Sequence, residues 1–248
     1  MNPLEQFTVR PILPLHLFGY DVSFTNQSLF MVLVVAATSL FLILSVKADR
    51  LVPTRGQSMA EMSYEFVADM IHSSIGTDGL KFFPFIFTLF MFVLVSNFLG
   101  LLPFAFTVTS QIAVTFALAA FIILLVIVTG FRKHGFHFLK LFVPAVPWYL
   151  VWLLVLIEVI SFFIRPISLS VRLFANMLAG HTMLQVFAGF IIAMAGAGGV
   201  LAALSFGPMI LIVAIMLLEL LVAFLQAYVF SILTCIYLNE ALHLHDDH

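Results

Sequence analysis

The sequence predicts an all-α polytopic membrane protein: about five to six membrane helices, a long and strongly tilted C-terminal helix hairpin among them, plus an amphipathic surface helix. Three observations predict it. Hydrophobic residues make up 63% of the 248 and charged residues only 9%, where soluble domains carry roughly 45–50% and about 25%. Mean hydropathy is +1.20. Apolar runs long enough to cross a hydrocarbon core of about 30 Å recur along the chain. Such a chain cannot cover its surface with polar groups in water, and in lipid it need not.

The elements follow in order within a single integral membrane domain, 1–248. Residues 1–27 form an outer N-terminal segment. It has no charged stretch leading into an apolar core and a small-residue cleavage site, so the first apolar run is expected to stay as an anchor. That run, 28–46, is the first membrane helix. Residues 57–75 mix Met59, Met62, Phe66, Met70 and Ile71 with Glu61, Glu65 and Asp69. This spacing fits an amphipathic helix on the membrane surface, its acidic side either solvated or docking a partner. Residues 82–131 make a membrane helix pair, from the runs Phe82–Val108 and Gln111–Phe131.

The last stretch, 147–238, holds the runs Pro147–Ile164, Ser168–Ala195 and Pro208–Leu238. The last of these would make a helix of roughly 46 Å, which fits a bilayer only when strongly tilted. Pro166 allows either one helix with a kink or two helices. A tilted hairpin is the favoured reading, turning at Gly196–Gly199 and Gly207-Pro208. Residues 239–248 are a polar tail. No internal repeat or low-complexity segment interrupts this plan.

Charge narrows the function. A net charge of −2 gives no electrostatic footprint for nucleic acid. The lone Cys235 leaves no disulfide framework and reads as a packing residue. Lys47, Arg50, Arg55 and Lys81 follow the first span, and Arg132, Lys133 and Lys140 follow the third; Arg10 stands on the opposite side. The excess of cations in loops predicts that both basic connections face the cytoplasm or matrix, with the N-terminus outside and the C-terminus inside. His134 and His137 read as marks of a wet interface, and His72 as part of the surface helix. The tail His243–His248 reads as a solvated terminus rather than a metal site. No metal or cofactor is expected.

Five ionisable residues stand where apolar side chains belong: Glu158, Arg165, Arg172, His181 and Glu219. Each is costly in lipid, about 2.5–3.5 kcal/mol for an arginine at the bilayer centre, and such residues face a bundle interior or a water-filled path. Glu158, Arg165 and Arg172 recur every seven residues and so form one stripe along a helix. Ser161 and Ser168 precede the two arginines by four, and Asn176 follows Arg172 by four, on the same side. Glu219 and Gln226 are likewise seven apart, with Ala223 and Ala227 beside them. His181 comes nine residues after Arg172, about 180° around the helix.

Carboxylate and imidazole can each pass a proton. Arginine stays charged and cannot. Two titratable regions separated by an arginine suit a proton path, whereas a static Arg–Glu pair fastening two helices is the plainer alternative. The chain offers Arg172 no carboxylate beyond such a pair, which leans towards a carboxylate on another subunit.

The stretch Pro166–His181 reads Pro-Ile-Ser-Leu-Ser-Val-Arg-Leu-Phe-Ala-Asn-Met-Leu-Ala-Gly-His. It resembles the signature helix of the F-type ATP synthase subunit a family. Leu218-Glu219, Gln226–Phe230 with Tyr237-Leu238, and Asn97–Pro103 are similar to the same family, so the likeness covers nearly the whole chain. The family resemblance implies roles. Arg172 matches the essential arginine that meets the carboxylate of a rotating c-ring. Asn176 and Gln226 match its polar neighbours. His181 and Glu219 match the pair lining the outer half-channel, placed as in mitochondrial and alphaproteobacterial members rather than swapped. Glu158 matches a carboxylate of the inner half-channel. Ser168, Arg165 and Ser161 remain a secondary polar stripe.

The implied function is a proton-translocating stator subunit with no catalytic site or cofactor of its own. The implied partners are c-ring subunits, peripheral-stalk b-type subunits, the soluble ATPase head indirectly, and the lipid bilayer. A bacterial inner membrane is the favoured location, a mitochondrial inner membrane the alternative. Protons are favoured over sodium because the polar path lacks a cluster of oxygen ligands. Two readings compete: a self-contained ion channel or secondary transporter, and a structural subunit of a respiratory complex.

Overall fold

The computed structural model describes residues 9, 11–14, 16–17, 20–21, 23–45, 54–102, 106–135, 148–199 and 204–243. Arg10, Lys47, Arg50, Pro103, His137, Lys140 and 244–248 lie outside the described residues, as do Val46 and Pro147 at the ends of two expected spans. Among the described residues there are six α-helices: α1 (Asn26–Ser45), α2 (Arg55–Ser74), α3 (Phe83–Gly100), α4 (Ile112–His134), α5 (Trp148–Ala197) and α6 (Phe206–Leu242). All but α2 belong to stretches long and apolar enough to cross a membrane. Helices are what such sequences must form in lipid, because every backbone polar group has to be satisfied within its own segment.

Two boundaries differ from the sequence expectation, and a stretch left open at Pro166 takes one of its two forms. The first is α3, which stops at Gly100 instead of running to Val108. The amides of Leu101 and Leu102 close the last turn on Asn97, Phe98 and Leu99 carbonyls, and the chain comes back through buried Phe106–Ser110 to a single 3₁₀ turn, Val108–Ser110. A Gly followed by Pro three residues on is a stop signal that outweighs continued hydropathy. The open stretch is α5, one helix of 50 residues that passes through Pro166. The second differing boundary is α6, whose 37 residues run past Leu238 to take in Asn239 and Glu240. At about 1.5 Å per residue both helices far exceed an upright crossing. The end of α5 is set by Gly198 and Gly199, at φ 71° and 60°, a left-handed backbone that glycine adopts without strain.

The N-terminal segment holds four short strands that apolar periodicity does not reveal: β1 (Pro11–Leu13) pairs antiparallel with β4 (Phe24–Thr25), and β2 (His16–Leu17) with β3 (Tyr20–Asp21). Strands of two or three residues are too short for alternation to register.

The chain groups into two compact units: Met1–Phe41 with Met91–Gln111 and Leu173–Ala227, and Leu42–Phe90 with Ile112–Arg172 and Tyr228–His248. In the first, Met91, Val93, Phe106, Leu173 and Met177 are buried, and the Phe30 and Phe106 rings lie 6.1 Å apart. In the second, Ile86, Phe90, Ile122, Val126 and Phe230 form the core. There α2 is capped by Thr54, whose side chain accepts from the Gln57 amide.

Helix α2 buries Ala60, Val67, Met70 and Ile71 and sets the Phe66 ring against Phe90 and Tyr228. Met59 and Met62 stand exposed beside Glu61, Glu65 and Asp69. Its packed face is therefore narrower than the sequence pattern suggests. Lys133 at the end of α4 lies 4.0 Å from Asp78, and His134 Nε2 is 3.1 Å from the Leu242 carbonyl. Within this unit Asp78, the end of α4 and the C-terminal end of α6 thus lie together.

Candidate functional site

In the first unit a polar cluster forms inside apolar helices. Asn97, near the end of α3, is fully buried; its amide donates to the Ala223 carbonyl of α6 at 3.1 Å and its oxygen accepts from the Thr109 hydroxyl at 2.9 Å. Thr107 donates to the Gly100 carbonyl at 3.4 Å, and its hydroxyl lies 3.2 Å from His181 Nε2 of α5. The same nitrogen is 3.7 Å from Glu219 Oε1 of α6, with His181 13% and Glu219 5% exposed. That gap is slightly too long for a hydrogen bond, and a shift of about 1 Å closes it.

Room for the carboxyl is made by Gly180. A Cβ there would sit 2.5 Å from Glu219 Oε1 and 2.9 Å from its Cδ, so only a residue without a side chain lets the two helices bring these groups together. Both Glu219 oxygens are buried without a hydrogen-bond partner among the described residues, and so is Oε1 of Gln185, one turn beyond His181. Buried polar atoms left unpaired are uncommon and call for a functional reason. A carboxyl and an imidazole that a shift of about 1 Å brings into bonding distance can exchange a proton. Gln226, Ala223 and Ala227 are buried along the same helix as Glu219. Asn176 is exposed and makes no hydrogen bond to Gln226 among the described residues.

The second unit treats its charges differently. Arg165 is ion-paired through Nη1 with Glu240 of α6 and stacks 5.1 Å from the Tyr237 ring centre. Ser170, buried, is 3.0 Å from the Thr115 hydroxyl of α4. Glu158 and Ser161 are half-buried, and Ser168 and Arg172 are exposed. Among the described residues neither Glu158 nor Arg172 takes part in an ion pair. The residues around Arg172 on α5 are small or aliphatic: Val171, Ala175, Asn176 and Ala179 are exposed with it. The guanidinium is thus presented outward and not spent on a clasp. Among the described residues no three His, Cys, Asp or Glu side chains converge as a metal site.

Of the sequence-predicted residues, His181 and Glu219 are brought together, and Arg165 finds a partner the sequence reading did not give it. Thr107, Thr109, Gly180 and Glu240 were not singled out there, and Asn97 figured only as part of a motif. The signal available was weak: an amide inside an apolar helix, a run of hydroxyls at Thr107–Ser110, and an acid just past the last apolar residue.

A polytopic helical membrane protein with a buried His–Glu pair and an exposed arginine that has no ion-pair partner among the described residues is a candidate ion-translocating protein. Residues 28–239 match the ATP synthase A chain family, and the chain belongs to that family. It is 60% identical over 243 residues to an ATP synthase subunit a of Chelativorans sp. (strain BNC1), covering 98% of each chain. It is 58% identical to the ATP synthase subunit a of Mesorhizobium japonicum and to that of Rhizobium meliloti, covering 98% of this chain and 97% of each relative.

Proposed function

We propose that this chain is the proton-translocating stator subunit of a rotary ATP synthase, working in a bacterial inner membrane against a ring of c subunits and held by peripheral-stalk b-type subunits. Family membership favours this reading over a self-contained channel or transporter. The observation that carries the residue roles is Arg172: an outward-facing guanidinium on an apolar helix, with no carboxylate partner among the described residues. A permanent charge so placed is costly in lipid, and a carboxylate on a neighbouring subunit offsets that cost.

In this mechanism a proton from the outer side passes the Glu219–His181 pair and neutralises a ring carboxylate, which can then rotate into lipid. After nearly a full turn the proton leaves beside Glu158. Arg172 stabilises the newly ionised carboxylate and, because it cannot give up its own proton, keeps the two paths from joining. Each charge falling through 100 mV yields about 2.3 kcal/mol, so any leak past the arginine wastes drive. Gln226 and Asn176 are the polar neighbours of that encounter. The basic connections face the inner side, as the loop charges favour.

The test is Arg172→Ala in the assembled complex. Proton-driven ATP synthesis should vanish while the subunit still co-purifies with ring and head; normal synthesis overturns the assignment.

A further inference from the structure

Thr107 sits at the turn after α3, 3% exposed, with its hydroxyl between the Gly100 carbonyl and His181 Nε2. A hydroxyl has one hydrogen to give and lone pairs to receive. When Nε2 lacks a hydrogen, Thr107 can donate to it. When Nε2 carries one, Thr107 accepts it and turns its own hydrogen to Gly100. Nε2 is also the atom that approaches Glu219 Oε1 at 3.7 Å.

We infer that Thr107 is a positioning residue for the proton relay, its rotating hydroxyl holding His181 Nε2 in one place through both protonation states. The inference rests on the relay role proposed above for His181 and Glu219.

The hydroxyl is itself held. The Thr107 methyl would lie 2.7 Å from a Cβ at Gly100, so glycine there permits the close approach. The Thr107 carbonyl accepts from the Ser110 hydroxyl at 2.6 Å. Thr109 bonds to Asn97, and Asn97 bonds to the backbone of α6 one turn beyond Glu219. The turn bearing Thr107 is therefore fastened both to α3 and to the helix that carries the relay carboxyl. A donor–acceptor pair fixed in this way needs little reorganisation at each transfer, which is where positioned groups gain rate. Among the described residues the titratable group shown against His181 is Glu219 on α6. The elements on the α3 side bring the uncharged Asn97, Thr107, Thr109 and Ser110.

The experiment measures proton uptake by the whole reconstituted complex across a range of outer pH, for Thr107→Val, Thr107→Ser and His181→Ala. Loss of one hydrogen bond predicts a drop of about fivefold for Thr107→Val, with a pH profile displaced from the parent's, while Thr107→Ser keeps the hydroxyl and the parent profile. If Thr107→Val does not assemble, Thr107→Ala removes the same hydroxyl and is read in the same way. Parent-like uptake and profile without the hydroxyl overturn the inference, and so does an equal loss in Val and Ser variants with an unchanged profile. Parent-like uptake in His181→Ala would instead overturn the relay itself.

Discussion

Gly180→Ala separates the relay from the fold. The added Cβ would meet Glu219 Oε1 at 2.5 Å, Cδ at 2.9 Å and Cγ at 3.3 Å. The obstructing atoms are the far end of a flexible side chain, so the helices need not part; the carboxyl swings away instead. Restoring ordinary contact displaces it by about 1 Å, and a misplacement of that size costs on the order of 100-fold in rate for positioned groups. Helix propensity points the other way, since alanine is better than glycine inside a helix by about 1 kcal/mol. The variant should therefore assemble at least as well as the parent yet pump poorly. The assay is ATP-driven acidification of inverted vesicles, with assembly scored by retention of the ATPase head. Pumping within twofold of the parent, in fully assembled complex, would refute the claim that the Glu219 position sets the rate.

Three further outcomes follow from the same geometry. Glu219→Gln keeps the volume and removes the exchangeable proton, so uptake should fall by 100-fold or more in the range that positioned acid–base groups supply; unchanged pumping in vesicles would remove Glu219 from the relay. Asn97→Ala strips partners from a buried carbonyl and a buried hydroxyl, a loss of about 2–4 kcal/mol, read as a lower denaturation temperature of the purified complex. Arg165→Met breaks a partly exposed ion pair with Glu240, which should cost only about 1 kcal/mol and leave measurable ATP synthesis, in contrast to Arg172→Ala.

Much of the fold is legible in the sequence because lipid leaves the chain few choices: long apolar runs become helices, and α1, α4, α5 and α6 lie where those runs lie. The misread boundaries are places where local chemistry overrides hydropathy. Gly100 ends α3 although the residues after it stay apolar, and α6 continues past Leu238 although Asn239 and Glu240 are polar.

The candidate site was half legible. His181 and Glu219 stand out as charges in grease. Their supports, Thr107, Asn97 and Gly180, do not, because a hydroxyl, an amide or a missing side chain gains meaning only from what it touches. Arg165 and Arg172 look alike in sequence, seven residues apart on one helix. Among the described residues only Arg165 of the two is ion-paired with a carboxylate of the chain.

The central claim is tested most directly by a density map of the assembled membrane sector, read for the carboxylate nearest the Arg172 guanidinium. This carboxylate should belong to a c subunit of the ring. A lasting ion pair between Arg172 and an acidic residue of its own chain would contradict it.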